Sequence, residues 1–115
     1  MYYIIIEFKI VKSMEFEFEN KKLKKLYETG ESKNYPYPDN IIKEFFILVN
    51  AIETANDIYD LWKRPALNFE KLTNTNLCSM RGNRKYRLDF RIEFEDEKKT
   101  KGKVYIKDYT KHYGD

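Results

Sequence analysis

Two arginines flank a Gly-Asn pair in residues 78–90, whose sequence is CSMRGNRKYRLDF. Gly-Asn tolerates the positive φ angles of tight hairpin turns, so the alternating residues on either side predict two strands joined by that turn. Arg81 and Arg87 are then expected on adjacent strands, facing one patch of solvent. Between Arg81 and Arg91 the chain has five cationic side chains and one acid, Asp89. Because planar guanidinium groups on a sheet bind phosphate bidentately, this segment predicts a phosphate-sized site.

The residue types at this turn and near the C-terminus suit RNA cleavage without a metal. In that reaction the 2′-hydroxyl attacks the phosphate, which requires a base, cations for the charge on the phosphorane, and an acid for the leaving 5′-oxygen. His112 as base, Arg81 with Arg87 as cations, and Tyr113 as acid can fill these roles. His112 is the only histidine of the chain, and an imidazole titrates near neutrality. A lone histidine is also often structural, so residue types alone leave this role open.

Further residues beside the turn and the histidine are predicted to contact RNA: Asn83, Arg84, Lys85, Tyr86 and Lys111. Tyr86 and Tyr113 could stack on splayed bases, which is how proteins usually recognise single-stranded RNA. The chain has ten tyrosines, however, and most aromatic side chains pack in cores. The alternative for Tyr86 is therefore a place in the core.

Composition excludes several other classes of protein. With 115 residues, 42% of them apolar and 17% aromatic, the chain is expected to form a single folded domain. One cysteine excludes a disulfide framework, and Cys78 is interpreted as a small hydrophobic residue rather than a nucleophile. The chain offers neither a glycine-rich phosphate loop nor a set of Cys and His ligands, so no metal or other cofactor is predicted.

Charge and hydropathy predict a cytoplasmic protein. The start of the chain is apolar at residues 2–6 but has no basic leader, and Glu7 and Lys9 follow at once, so neither a signal peptide nor a membrane span is predicted. The net charge is +3. Lysines cluster in the first predicted helix, at residues 21, 22, 24 and 25, where they either attract a polyanion or simply solvate an exposed face.

The hydrophobic pattern changes from helical to strand-like along the chain. MEFEFE, from Met14, alternates as a strand, Asn20 is a plausible cap for a helix that ends at Gly30, and a proline-containing loop follows. A second helix begins at Asp39, with a buried stripe at residues 41, 42, 45, 48, 49 and 52. A short helical turn around residues 58–62 ends at Arg64-Pro65. The segments LNFEKL (residues 67–72), RLDFRIEFED and KVYIKDY predict strands. The fold class is therefore α+β, with N-terminal helices packed on a mainly antiparallel sheet of four to five strands.

The order of these segments resembles the HigB group of the RelE-like toxins, from about Met14 to Gly114. The most specific part is Ser-x-Arg, four spacers and Tyr-Arg-Leu-x-Phe over residues 79–90, with Lys-His-Tyr at residues 111–113. The resemblance implies a RelE-like fold and a ribosome-dependent endoribonuclease that cuts messenger RNA in the decoding site. It also implies silencing by a helix-turn-helix antitoxin of the HigA kind, and it places a residue such as His112 at the end of the sheet beside the arginines. The chain departs from the pattern at TNTN, residues 73–76, where many relatives have Lys-Gly, which puts any base from that position in doubt.

The alternative function is a catalytically silent module that uses the same basic sheet to bind RNA or only to hold an antitoxin. The domain is expected to span residues 14–115. Residues 1–13 lie outside the resemblance and have two interpretations: translation naturally starts at Met14, or the segment is an extra edge strand of high β propensity.

Overall fold

The computed structural model describes residues 14–31, 37–82 and 85–111, together with the backbone of residues 5–6 and 9–10. In chain order the elements are β1 (Ile5–Ile6), β2 (Lys9–Ile10), β3 (Glu15–Phe18), α1 (Lys21–Thr29), α2 (Asp39–Thr54), α3 (Ile58–Trp62), a 3-10 helix (Pro65–Leu67), β4 (Glu70–Lys71), β5 (Leu77–Met80), β6 (Tyr86–Phe94) and β7 (Gly102–Lys111). None of the helices in these ranges is both long enough and apolar enough to cross a membrane.

The ends of α1 are fixed by local signals in the sequence. The Asn20 side chain accepts hydrogen bonds from the N–H groups of Lys22 at 3.0 Å and Leu23 at 3.1 Å. These bonds satisfy donors that have no partner inside the helix. Gly30 follows the helix with φ 74°, and its N–H donates to the Leu26 carbonyl at 2.7 Å. Both predicted boundaries of α1 are confirmed.

The core lies between α2 and one face of the sheet. The predicted apolar stripe of α2 is confirmed, because five of its six residues are buried and Ile42 is partly buried. The helix begins at Asp39, as predicted. The cap position is Pro38, which makes no side-chain hydrogen bond. Asp39 instead places its carboxylate in the first turn, where the positive end of the helix dipole favours an anion.

Five strands form one mixed sheet in the order β3-β7-β6-β5-β4. The β3–β7 pair is parallel and the other three pairs are antiparallel. The β6–β7 pair begins where Phe94 meets Gly102. A Cβ on Gly102 would lie 2.1 Å from the Glu93 carbonyl oxygen, so only glycine fits there. The predicted α+β class with a mainly antiparallel sheet is confirmed.

The predicted strand LNFEKL is mostly wrong. Leu67 ends the 3-10 helix that Pro65 begins, and only Glu70 and Lys71 pair with β5. Asn68 has φ 49°, a left-handed conformation that interrupts an extended chain. Apolar and polar residues do alternate at the start of this segment, but the backbone geometry at Pro65 and Asn68 limits the strand to two residues.

The predicted hairpin of β5 and β6 is confirmed, with Arg87 in β6, but the expected strand position of Arg81 is wrong. The last residues paired between these strands are Met80 and Leu88, so Arg81 follows the end of β5 without pairing to β6. The N–H of Arg81 donates to the Leu67 carbonyl at 2.9 Å, and the Arg81 carbonyl accepts from the Asn68 amide at 2.9 Å. Arg81 therefore lies just beyond β5, because its backbone bonds to Leu67 and Asn68, at the end of the 3-10 helix, and not to β6.

Strand alternation gives the sheet two faces. The helix-side face carries the fully buried Leu88, Phe90 and Tyr109. A bulge adjusts β7, since Asp89 pairs with Asp108 while Phe90 pairs with Ile106. We call the other side the open face. It carries the side chains of Arg87, Asp89, Arg91 and Glu93 from β6 and of Lys103 and Tyr105 from β7.

The segment before the domain pairs with itself. Ile5 pairs with Ile10 and Ile6 with Lys9 in a two-stranded antiparallel ladder of its own. The domain boundary at Met14 stays a prediction.

Candidate functional site

Arg87 and Asp89 form the best-defined polar contact of the open face. They lie two residues apart on β6, so their side chains project from the same face. The Arg87 Nε donates to Asp89 Oδ1 at 2.8 Å, and Nη2 donates to Oδ2 at 3.3 Å. Only 25% of the arginine side chain and 13% of the aspartate side chain are exposed. The result is a two-point, partly buried ion pair.

Arg91, the next cation along β6 on this face, is bound by two glutamates, Glu93 of β6 and Glu19, which directly follows β3. Its Nη1 donates to Glu93 at 2.9 Å and its Nε to Glu19 at 3.2 Å. Its guanidinium lies 4.0 Å from the centroid of the Tyr105 ring, whose hydroxyl donates to Glu93. Hydrogen bonds to Glu93 and then to Glu19 raise the pKa of Arg91, and hydrogen bonds from Arg91 and then from Tyr105 lower the pKa of Glu93. Arg91 and its two glutamates therefore form a network of paired charges that stabilises the sheet.

These contacts correct the charge count of the hairpin. The excess of cations between Arg81 and Arg91 does not make the face equally cationic, because two glutamates from outside this segment pair with Arg91. Glu19 directly follows β3, and Glu93 lies farther along β6. Lys103 is also paired, with Glu17 at 3.5 Å. Within the described ranges Arg81 has no ion-pair partner. The open face is thus cationic mainly at the hairpin end of the sheet.

Arg81 and Arg87 do lie at the same end of the sheet. Arg81 directly follows Met80 and Arg87 directly precedes Leu88, and these two residues are the last paired residues of the β5–β6 ladder. Both arginine side chains are partly exposed. Lys85 is exposed beside them in the connection. The structure therefore brings together three of the predicted site residues.

Tyr86 belongs to a cluster of tyrosines on the helix-side face. Its ring lies 5.4 Å from that of Tyr37 and 5.3 Å from that of Tyr109, and it packs partly buried against the core. Its neighbour across the ladder is the exposed Lys111. Since adjacent residues of a strand project from opposite faces, the Tyr86 ring lies on the other side of the sheet from the Arg87 guanidinium. This position favours the packing interpretation of Tyr86 over base stacking.

The tyrosine cluster also anchors the chain before α2. The Tyr37 hydroxyl donates to the Tyr109 carbonyl at 2.7 Å, and the Tyr109 hydroxyl donates to the Ile41 carbonyl at 2.9 Å. Burial, followed by the charge of Glu44, raises the pKa of Tyr109. These contacts fix the last third of β7 to the start of α2. They thereby hold the strand that leads to the predicted His112 and Tyr113.

Four of the predicted site residues lie outside the described residues: Asn83, Arg84, His112 and Tyr113. The other predicted site residues are all placed. The sequence interpretation gave no role to Asp89, although its spacing of two from Arg87 on an alternating strand was a usable signal. No local signal could have found Glu19 as the partner of Arg91.

Cys78 is buried, with 6% of its surface exposed. Burial raises the pKa of its thiol, which disfavours the nucleophilic thiolate. The interpretation of Cys78 as a small hydrophobic residue is confirmed. In residues 14–31, 37–82 and 85–111, no group of three or more His, Cys, Asp or Glu side chains could hold a metal ion.

Comparison with known proteins identifies a family. A family model described as HigB-like toxin, the RelE-like toxin of the type II toxin-antitoxin system HigB, matches residues 16–109. The match covers most of the chain and includes every element from α1 to β6. A search of curated proteins found no significant match.

Proposed function

Because the chain belongs to the HigB-like toxins, the RelE-like toxins of type II toxin-antitoxin systems, we propose that it is an endoribonuclease that cuts messenger RNA on the ribosome and so inhibits translation. The cleavage proceeds without a metal, by attack of the 2′-hydroxyl on the neighbouring phosphate. The upstream fragment then ends in a cyclic phosphate or a 3′-phosphate.

The observation that carries this proposal is the position of Arg87. Its guanidinium is held by two hydrogen bonds to Asp89 on a partly buried strand, at the end of the sheet where Arg81 also lies. Fixed donors stabilise developing charge better than mobile ones, because they need no reorganisation during the reaction. A guanidinium also offers the planar set of donors that a phosphate accepts.

We assign the remaining roles from residue type and family resemblance. His112 takes the proton from the 2′-hydroxyl, and Tyr113 supplies a proton to the leaving 5′-oxygen. Arg81 and Arg87 balance the charge on the phosphorane. Asn83, Arg84, Lys85 and Lys111 contact the RNA backbone, where cations contribute most of the affinity for nucleic acid. Tyr86 supports this end of the sheet by packing.

The proposed partners are the ribosome with its message and a helix-turn-helix antitoxin of the HigA kind, all in the cytoplasm. Two arginines, a histidine and a tyrosine are few groups for a self-sufficient ribonuclease. The ribosome orders the RNA substrate by holding the message in a defined path, which lowers the entropy cost of the reaction.

A time course with purified protein tests the proposal. The protein is incubated with a messenger RNA alone and with the same RNA on programmed ribosomes, and fragment ends are mapped. We expect cleavage within the codon at the decoding site and little cleavage of free RNA. Equal cleavage of both samples would refute ribosome dependence, and upstream fragments that end in a 3′-hydroxyl would refute attack by the 2′-hydroxyl.

The silent binding module is the other outcome of this assay. It would bind ribosomes or an antitoxin without cutting either sample. Charge does not distinguish it from the enzyme, since both need the cationic end of the open face. Only the appearance of new RNA ends distinguishes the enzyme from the silent binding module.

A further inference from the structure

We propose that Asp89 is a positioning residue for Arg87. Its carboxylate holds the Arg87 guanidinium in the orientation in which the guanidinium meets a phosphate on the open face. The inference rests on the proposed function, in which Arg87 stabilises the phosphorane, and it goes further by giving a catalytic consequence to an acidic side chain.

The geometry of the pair supports this role. Two donors of Arg87, on Nε and Nη2, bind the two carboxylate oxygens of Asp89 at 2.8 and 3.3 Å. A single hydrogen bond would let the guanidinium rotate, whereas two parallel bonds fix its plane.

Burial distinguishes this pair from the neighbouring pair of the same kind. Arg91 and Glu93 have the same spacing on the same strand and face, but 59% of the Glu93 side chain is exposed. The corresponding value for Asp89 is 13%. Since exposed ion pairs are screened by water and salt, the Arg87–Asp89 pair is the better suited to hold one geometry.

The backbone of Asp89 is held in place by strand pairing on both sides. Asp89 is paired on both sides, with Ser79 of β5 and with Asp108 of β7. Ser79 is almost fully buried, and the Asp108 carboxylate accepts the N–H of Tyr109 at 2.9 Å. Sites on paired strands hold their side chains more precisely than sites on loops. Asp89 is thus fixed by the two strands that pair with it, and it can in turn fix the orientation of Arg87, which lies beside the β5–β6 connection.

An opposite role for Asp89 makes an opposite prediction. A carboxylate bound to Arg87 could instead compete with the phosphate, and its removal would then speed cleavage. The variant Asp89→Asn keeps the size of the side chain but removes its charge and one of its two strong acceptors. Its effect on the cleavage rate therefore has a different sign in the two cases.

The experiment compares Asp89→Asn with the matched control Glu93→Gln, which removes the same charge from the same face. Single-turnover cleavage is measured on programmed ribosomes across ribosome concentrations. For Asp89→Asn we expect a rate loss on the order of tenfold to a hundredfold, with the half-saturating ribosome concentration changed less than about twofold. Glu93→Gln should change the rate less than about twofold.

Two further readouts separate positioning from a structural role. In an Arg87→Ala background, Asp89→Asn should have no further effect on the rate, because Asp89 acts only through Arg87. In NMR spectra of the free protein, the Arg87 Nε–H should exchange with water roughly tenfold faster in Asp89→Asn than in the parent or in Glu93→Gln.

The outcomes distinguish this inference from the proposed function. Absence of cleavage by the parent protein would overturn the proposed function and the catalytic role of Asp89 with it, whatever the exchange data show. Where the parent cleaves, three results would overturn the inference alone: faster cleavage by Asp89→Asn, an equal loss in the Arg87→Ala background, or unchanged exchange of the Arg87 Nε–H.

Discussion

The backbone N–H of Met14 donates a hydrogen bond to the carbonyl oxygen of Ala55 at 3.0 Å. Only 5% of the Met14 surface is exposed, and its side chain belongs to the core. Ala55 follows the last residue of α2. This contact joins the residue that precedes β3 to the end of α2.

A chain that begins at Met14 is predicted to fold and to keep its activity. Its α-amino group can still donate to Ala55, and the order of the five-stranded sheet begins only at β3. We expect the melting temperature, measured by circular dichroism, to stay within roughly 5 °C of that of the full chain. Loss of cooperative unfolding in the shorter chain would identify residues 1–13 as an integral part of the domain.

Replacing Arg87 by Ala should reduce cleavage on ribosomes by about a hundredfold or more and abolish growth arrest, because removing one stabiliser of developing charge typically costs that much. Lysine should restore little, since it lacks the planar donors. The matched control is Arg91→Ala, on the same strand and face with nearly equal exposure, 24% against 25%. Full toxicity of soluble Arg87→Ala, or equal losses in both variants, would contradict the assignment.

His112→Ala and Tyr113→Ala should each slow single-turnover cleavage on programmed ribosomes. Ribosome binding, measured by co-sedimentation, should change little because the cationic residues that support it remain. General acid-base groups typically contribute a hundredfold to ten-thousandfold in rate, so losses of about a hundredfold are expected. If both variants lost binding and cleavage in parallel, the two residues would be contacts to the ribosome instead.

Tyr109→Phe should lower stability without touching the open face. It removes the buried hydrogen bond to the Ile41 carbonyl, whose loss typically costs about 1 kcal/mol. The expected decrease in melting temperature is roughly 3–6 °C. Tyr105→Phe is the control, because it also removes one hydroxyl, but one that bonds Glu93 in an exposed contact. An equal effect of the two substitutions would contradict the anchoring role of Tyr109.

Asp96 is predicted to contribute to stability in a way that acid removes. Hydrogen bonds from the Lys101 N–H and the Thr100 hydroxyl lower its pKa from 3.8 to about 2. A carboxyl group with a lower pKa in the folded than in the unfolded chain stabilises the fold above the unfolded pKa, and this contribution is lost as the pH falls through the folded pKa. Asp96→Asn should therefore lose less stability than the parent between about pH 4 and pH 2, as measured by urea denaturation. Glu97→Gln, which removes the adjacent carboxyl group, should keep the acid sensitivity of the parent.

Local rules were enough to predict several elements. Asn20 and Gly30 bound α1 because a side-chain acceptor and a left-handed residue act on their own neighbours in the chain. The stripe of α2 and the alternation of β6 follow from the periodicity of the two structures. The resemblance to the HigB group rested on the order of the segments and on residues 79–90 and 111–113, and the family match over residues 16–109 confirms it.

The predictions that failed depended on long-range pairing. Alternation predicted a strand through Leu67 and a strand position for Arg81. The Arg81 N–H instead found its partner in the Leu67 carbonyl. Alternation indicates which side chains can share a face, but it carries no information on which backbone will supply the hydrogen bonds.

The sequence by itself determined the composition of the candidate site: arginines near a hairpin, and a histidine and a tyrosine that follow the last strand in the chain. Only the tertiary structure decided which of those charges are neutralised. Glu19 reaches Arg91 from 72 residues away because β3 lies parallel beside β7, whereas Asp89 binds Arg87 within one strand. The physical reason is that electrostatic interactions depend on distance through space and on burial, and both are set by the packing of the strands.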